Sequence, residues 1–400
     1  MGRTSGRQLL LSERLMEKRI FLILSFCQFL LGIIVGVVAP LMPLYLKELG
    51  AVPVQIGYFI SLSGILTFLL PVGVGKLSDV ACNRKLPLTI CSAASVVLVL
   101  TAQRPSDLIS FGFFFIPFVA LVMTVFSLVN TISGIFAEEA SRGKIFGVLR
   151  AIRSAGAIVG GLFSGRLVDL YGFHIFFWIP ASVMALIAIA SMFLREQDKA
   201  DRPERVHSGL NLGWGFYLFI GAVAFFSIAD QLKMIVLPLF MRDLGFSLAL
   251  ITMASAIFRV VGLPLTFYLG AISDRFGRKN VLMLAFAGYA CYFFLMSLSR
   301  GVPQVFAVQI LRVTVAVIQA VGAAFVADQV KQDRLGTGMA LFQGVVGIGG
   351  IFGAFLTGHA IQELGMVKTF WIGGTLALVG ILLLSFTRGR ADADKAGAGR

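Results

Sequence analysis

Four ionisable residues lie within long apolar segments of this chain, where a charge is costly and is usually retained for a function. Asp230 and Lys233 are one helical turn apart, Arg259 lies in the following apolar segment, and Arg312 lies further along the chain. Carboxylate, ammonium and guanidinium groups at such positions can bind a charged solute or carry a proton. These four residues are therefore the first candidates for a functional site.

The charges of this group do not balance, since three bases accompany one acid. A buried, unpaired ion is strongly destabilising, so the excess positive charge favours an anion, such as a carboxylate or phosphate group of a substrate, as the missing partner. In the alternative arrangement, Asp230 pairs with Arg259 or Arg312 while Lys233 extends to the membrane interface. Asp230 is the only acid deep in an apolar segment, which makes it the candidate for proton coupling.

Uncharged polar side chains accompany these charges. Gln309 and Gln319 lie three and seven residues from Arg312, which places all three on one face of a helix. Gln28 and Asn130 add amides to two apolar segments of the first half of the chain. The candidate substrate-binding residues are therefore Gln28, Asn130, Asp230, Lys233, Arg259, Gln309, Arg312 and Gln319.

The segments that carry these residues are long enough to cross a bilayer. Of the 400 residues, 58% are hydrophobic and 14% are charged, and the mean hydropathy is +0.91. A soluble domain has about 25% charged residues, whereas a membrane-spanning helix needs about 20 consecutive apolar residues. Twelve apolar runs predict an all-α membrane protein with twelve transmembrane helices, at 20–45, 56–77, 86–102, 108–136, 145–168, 173–194, 212–240, 248–272, 281–298, 302–327, 339–361 and 370–386.

Lys and Arg are distributed unequally between the two sides of these predicted spans. Of the 34 basic residues, 25 lie on the side of the two termini and three lie within spans; six lie on the other side, namely Lys47, Arg104, Arg166, Arg242, Arg300 and Lys368. The positive-inside rule then predicts a multi-pass protein of the inner or plasma membrane with both termini cytoplasmic. The net charge of +14 follows from this distribution, so no nucleic-acid partner is expected.

The sequence gives no support to catalysis or to a bound cofactor. The four cysteines and three histidines are too dispersed to indicate a metal site. No nucleophile and base lie at a catalytic spacing. We therefore expect no enzyme activity, metal or cofactor.

The chain contains an internal repeat with an offset of 195 residues. The stretch PLYLKELG, 43–50, matches PLFMRDLG, 238–245, and GKLSD, 75–79, matches GAISD, 270–274. A polar, charged stretch separates the two copies. The predicted domains are two six-helix bundles, 1–194 and 212–400, joined by a cytoplasmic linker, 195–211.

The stretch GAISDRFGRK, 270–279, resembles the signature loop of the major facilitator superfamily, which has the form G-x-(L/I)-(S/A)-D-R-x-G-R-(K/R). The resemblance implies two pseudo-symmetric bundles with a substrate site between them near the membrane midplane. It also implies that this loop latches the inner ends of helices, although the same bases could serve only to set the topology. The first copy, GKLSDVACNRK, 75–85, lacks the Arg and the second Gly, which implies a weaker role. The candidate gating residues are Gly75, Asp79, Arg84, Gly270, Asp274, Arg275, Arg278 and Lys279.

Two glycine-rich stretches, 154–165 and 344–358, place small residues at spacings of three and four. Such spacing lets membrane helices approach closely and slide. The first stretch resembles the antiporter motif of drug exporters but lacks its proline. Close packing alone is the alternative interpretation.

These features predict a secondary active transporter that works as a monomer by alternating access. The leading hypothesis is proton-coupled efflux of a small organic, amphipathic or anionic solute, since the stretch 327–358 is distantly similar to sugar and drug exporters. An importer or facilitator of organic anions is one alternative, and a lipid or lysolipid flippase is another. The expected partners are the solute, protons and the lipid bilayer.

Overall fold

The computed structural model describes residues 2–80, 83–105, 107–136, 142–194, 213–330 and 334–387, and these residues are almost entirely helical. The predicted linker, 195–211, lies outside the described residues. The helices are α1 (Gly2–Glu48), α2 (Pro53–Val80), α3 (Lys85–Thr101), α4 (Leu108–Phe136), α5 (Arg142–Tyr171), α6 (His174–Met192), α7 (Trp214–Asp243), α8 (Leu248–Phe276), α9 (Arg278–Leu298), α10 (Val302–Gln309), α11 (Val313–Gln329) and α12 (Leu335–Ser385).

These helices provide the twelve predicted spans. Helices α1 to α9 supply one span each, and α10 continues through a short 3₁₀ turn into α11 to form the tenth. Helix α12 is interrupted at Gly365, whose φ of 80° is not helical, so it contains two further spans, 335–364 and 366–385. Within the described residues, the all-α membrane fold predicted from hydropathy is therefore confirmed.

The internal repeat produces two identical helix ends. After α1, Ala51 N–H donates to Leu46 C=O, and after α7, Phe246 N–H donates to Met241 C=O, each at 3.0 Å. The residue that closes each turn is a glycine with positive φ, 79° at Gly50 and 83° at Gly245. Glycine adopts this conformation without steric penalty, so the repeated sequence ends both helices in the same way.

The chain divides into two compact units. Unit 1 comprises Met1–Leu41 with Ile65–Arg202, and in it α3 packs against α4 and α6 over a core of phenylalanines. Unit 2 comprises Met42–Gly64 with Pro203–Arg400, and in it α12 packs against α7 and α9. Unit 2 thus contains the end of α1 and the beginning of α2 as well as the second copy of the repeat.

Glycines allow close helix packing inside each unit. In unit 1, a Cβ added to Gly156 of α5 would lie 1.9 Å from Phe29 C=O of α1, and one added to Gly32 of α1 would lie 2.0 Å from Arg153 C=O of α5. In unit 2, a Cβ added to Gly353 of α12 would lie 2.9 Å from Ile228 C=O of α7. Both glycine-rich stretches therefore lie at backbone-to-backbone helix contacts.

Candidate functional site

Asp230 and Lys233 form an ion pair on one face of α7, between the Asp230 carboxylate and the Lys233 ammonium. The Lys233 side chain is only 2% exposed and that of Asp230 is 27% exposed. Tyr289 of α9 donates its hydroxyl to Asp230 Oδ1 at 3.0 Å. The carboxylate thus accepts hydrogen bonds from two buried donors, which is the usual way a membrane interior accommodates a charge.

Aromatic rings surround this ion pair. The Tyr289 ring lies 5.4 Å from the ring of Phe226, 4.9 Å from that of Phe293 and 5.9 Å from that of Tyr292, centroid to centroid. The Lys233 ammonium lies 5.5 Å from the Tyr289 ring centroid. Electrostatic interactions are stronger in such apolar surroundings than in water, so each charge of the pair depends strongly on the other.

Arg312 lies at a break in the tenth span. Between α10 and α11 the chain forms the 3₁₀ turn Ile310–Arg312, and Arg312 is 6% exposed. Its Nη1 donates to Gln309 Oε1 at 3.3 Å, and its guanidinium carbon lies 4.2 Å from the ring centroid of Phe258 of α8. A 3₁₀ stretch inside a longer helix is typical of a hinge or a functional position.

The four ionisable residues share one electrostatic environment in unit 2. The charge of Arg312 acts on both Asp230 and Lys233, and the charge of half-buried Arg259 acts on Lys233. Gln319, the second glutamine predicted on the Arg312 face, is half-buried on α11. The four ionisable residues are thus brought together by α7, α8 and the 3₁₀ turn before α11, whereas a place for Gln319 in this group stays a prediction.

The pairing within this group differs from the alternative in which Lys233 extends to the interface. Its ammonium is buried against Asp230, because the three-residue spacing on α7 brings the two side chains together before any other helix is involved. Lys233 is therefore neutralised locally. Arg312 remains a buried cation whose Nη1 donates to an amide and not to a carboxylate.

The first copy of the repeat carries no equivalent of this group. At the offset of 195 residues, Asp230 corresponds to Val35, Lys233 to Val38 and Arg259 to Gly64. The two copies share the helix-ending motif and yet differ at these positions. The charges are thus dispensable for building a copy of the bundle, which favours a functional role for them.

Unit 1 has its own buried polar contact. Gln28 Nε2 of α1 donates to Asn130 Oδ1 of α4 at 2.8 Å. Gln28 is 1% exposed, and its Oε1 has no hydrogen-bond partner among the described residues. The two amides predicted from the first half therefore lie together and leave one buried acceptor available.

Two bases of the signature loop bind the carboxyl ends of other helices in unit 2. Arg278 donates to Ala324 C=O at 2.6 Å and pairs with Asp328 at 2.9 Å, both near the end of α11. Lys279 donates to Ser385 C=O at 2.9 Å, at the end of α12. Cations at helix carboxyl ends complement the helix dipole, so this loop joins α9 to two neighbours.

The remaining candidate gating residues are less informative. Gly75 has open space around it, and Arg84 precedes the first turn of α3. The side chains of Asp79, Asp274 and Arg275, and the surroundings of Gly270, lie outside the part of the chain that the structure describes. The gating roles of these residues remain predictions.

Sequence reasoning missed a second charged contact in unit 2. Lys47 Nζ of α1 lies 2.6 Å from Asp243 Oδ1 of α7, and the charge of Arg242 acts on Glu48. These are equivalent positions of the repeat, KE in KELG and RD in RDLG, so each base faces the acid of the other copy. The duplicated base–acid dipeptide was the signal that could have revealed this contact.

Tyr289 and Tyr292 were missed as well. Both side chains are completely buried in unit 2, one bonded to Asp230 and the other stacked on Tyr289. A search for charges and amides passes over tyrosine, whose ring is compatible with a lipid-facing or core position. Only contacts between helices distinguish these cases.

Comparison with known proteins identifies the family. Residues 24–229 and 218–400 match the sequence profile of the Major Facilitator Superfamily. The chain belongs to this superfamily. An uncharacterised MFS-type transporter of Methanocaldococcus jannaschii is 22% identical over 94% of this chain and 96% of that protein. Sugar efflux transporter A of Escherichia coli is 20% identical over 89% of this chain and 93% of that protein.

Solved structures of the superfamily share the fold. A mutant form of the nucleoside transporter NupG has a TM-score of 0.78 at 17% identity, covering 92% of this chain and 99% of that chain. At this identity the similarity concerns the fold alone. Superfamily membership, together with the apolar helices, makes this protein an integral multi-pass membrane transporter of a small molecule.

Proposed function

We propose that this superfamily member is a secondary active transporter that exports a small organic solute in exchange for protons. The observation that carries the proposal is the buried pair of Asp230 and Lys233, bonded to Tyr289 within membrane-spanning helices. Ionisable residues at such positions mark substrate or proton pathways in membrane proteins. The similarity to a protein named sugar efflux transporter A supports export as the direction.

Asp230 is the proton-carrying group in this proposal. Protonation of its carboxylate removes the negative charge that holds the Lys233 ammonium and the Tyr289 hydroxyl. Two buried donors then lose their charged acceptor and the α7–α9 contact weakens. A transporter needs such a link between proton binding and helix position, because a ligand changes an equilibrium only through differential affinity for its states.

The contacts at the two ends of the helices fit an alternating mechanism. Arg278 and Lys279 join α9 to the ends of α11 and α12, and Lys47 joins α1 to Asp243. Lys47 and Asp243 are about half exposed, at 45% and 50%. Exposed ion pairs contribute about 0.2–1 kcal/mol, which is small enough to be broken in every transport cycle.

Transport of an organic anion is the second candidate, and Arg312 favours it. This guanidinium is buried, yet its hydrogen bond goes to the Gln309 amide. A carboxylate on the solute would neutralise it. Import and export of such an anion use the same residues, so direction is decided by measurement of flux.

The test is flux in proteoliposomes containing the purified chain, with labelled sugars, organic anions and cationic dyes, with and without an imposed pH gradient. We expect uptake of at least one solute to respond to the gradient, and Asp230→Asn to remove that response. Asp107→Asn is the matched control, because Asp107 is an exposed residue that accepts from Ser110 N–H at the start of α4, and Asn caps helices equally well. Solute flux that is indifferent to the gradient in the unmodified protein would exclude proton coupling.

A further inference from the structure

Three buried hydrogen-bond donors near the ion pair have no partner among the described residues. They are Arg312 Nε, Gln309 Nε2 and the Tyr292 hydroxyl. Arg312 is 6% exposed, Gln309 is 3% exposed and Tyr292 is completely buried. Such groups are rare in folded proteins, and each one needs an explanation.

The orientation of the Gln309 amide follows from its neighbour. Arginine has no acceptor atom, so the group that meets Arg312 Nη1 must be the amide oxygen. The amide NH₂ therefore points elsewhere and remains a donor without an acceptor. The amide oxygen of Gln309 is therefore already paired with Arg312, and the amide NH₂ is available to donate to a ligand.

Arg312 presents a particular edge of its guanidinium. Gln309 accepts from Nη1, which lies on the Cδ side of the planar group, whereas the Nε–H points to the Nη2 side. The edge that carries Nε and Nη2 has two parallel N–H groups, the geometry that binds both oxygens of a carboxylate. The ring of Phe258 covers one face of the guanidinium, which fixes its plane.

Tyr292 belongs to the same environment. The positive charge of Arg312 reaches the Tyr292 side chain. Helix α9, which carries Tyr292, packs against the 3₁₀ turn that carries Arg312. The Tyr292 ring is stacked on Tyr289, so its hydroxyl is held in place.

We infer that Arg312, Gln309 and Tyr292 form a binding site for the carboxylate group of a small organic anion. The inference rests on the proposed transport function and specifies the class of its substrate. An ionised carboxylate has acceptors and no donors, so it matches a site in which each of the three unpartnered groups can donate. The surrounding rings of Phe258, Tyr289 and Tyr292 favour an anion with an apolar or aromatic body.

The test is binding to the purified full-length chain, measured as ligand-dependent thermal stabilisation at constant ionic strength. The probes are benzoate, butyrate and glutarate, each compared with its neutral amide and with inorganic phosphate. We expect at least one carboxylate to stabilise the protein at concentrations at which its amide does not. Equal effects of carboxylates and amides, or stabilisation by phosphate alone, would overturn the inference.

Variants locate the site. Arg312→Gln should weaken carboxylate binding about tenfold to a hundredfold, because a hydrogen bond to a charged group is lost. Arg312→Lys keeps the positive charge but removes the guanidinium edge that carries Nε and Nη2, so it should also weaken carboxylate binding. Tyr292→Phe should weaken it about two- to tenfold, as expected for one hydroxyl.

Matched controls are available on the surface. Arg300→Gln and Tyr171→Phe make the same changes at exposed positions and should leave binding unchanged. If Arg312→Gln and Tyr292→Phe bind the carboxylate as tightly as these controls do, the site lies elsewhere and the inference is wrong.

If neutral solutes are transported while no carboxylate binds, the inference fails but the transport function stands. If a carboxylate binds and no panel solute is moved, the transport function fails instead.

Discussion

At the scale of single residues, the buried ion pair on α7 connects stability with transport. Asp230 and Lys233 satisfy one another, and Tyr289 supports the carboxylate. Removing one member of a buried pair leaves an uncompensated charge, whereas replacing both members by neutral groups can leave stability unchanged. The same pair can therefore be dispensable for folding and essential for transport.

A double substitution separates these two roles. Lys233→Met should destabilise the protein by about 3 kcal/mol, the lower end of the range for a broken buried pair, because Asp230 is partly exposed. Asp230→Asn combined with Lys233→Met should recover the thermal stability but still lack transport that responds to a pH gradient. Thermal unfolding in detergent and proteoliposome flux measure the two effects. Recovery of both stability and transport in the double variant would show that the pair is structural only.

At the scale of helices, glycine decides how closely neighbours approach. The contact between α1 and α5 brings Gly32 and Gly156 against carbonyl groups of the opposite helix. The equivalent contact in unit 2 places Gly353 of α12 against α7. The stretch 154–165 predicted close packing from its spacing, but the identity of the neighbouring helix depends on the crossing of two helices distant in sequence.

Gly156→Ala tests this contact directly. The new methyl group would lie 1.9 Å from Phe29 C=O, which is backbone and cannot move away cheaply. We expect a loss of about 1–3 kcal/mol, as is typical of overpacking, and a lower midpoint of thermal unfolding. Gly147→Ala on the same helix has open space and serves as the control, since alanine there should be neutral or slightly stabilising. Equal stability of the two variants would argue against a tight α1–α5 contact.

At the scale of the whole molecule, the repeat generates contacts that neither copy contains alone. Lys47 meets Asp243 and the charge of Arg242 acts on Glu48, so a base–acid dipeptide in each copy faces the one in the other. A second contact in unit 2 joins the hydroxyl of Tyr58 on α2 to Nε2 of His359 on α12, at 3.2 Å. Contacts of this kind can hold one state of an alternating transporter and open in another.

Charge reversal tests the contribution of this contact to the conformational equilibrium. Lys47→Glu places two like charges together. The reporter is a cysteine at position 61, where the native Ser61 is buried in unit 2, at 8% exposure. Labelling of this cysteine should increase about threefold to fivefold, the change expected for about 1 kcal/mol. Lys47→Glu with Asp243→Lys should restore the original labelling. The experiment uses a membrane-impermeant maleimide in a background without the four native cysteines. Lys368→Glu, a charge reversal at an exposed position, is the control. If it increases labelling as much as Lys47→Glu does, the Lys47–Asp243 ion pair does not bias the conformational equilibrium.

The sequence by itself determined the number of spans, the repeat and the residues worth testing, because hydropathy and charge are local properties of the chain. It also selected Asp230, Lys233, Arg259 and Arg312 as candidates for one functional site. It left open which of them pair, and it passed over Tyr289 and Tyr292. Helical spacing gives the face on which a side chain lies, but its partner depends on the depth and crossing of other helices, and only the tertiary structure decides these.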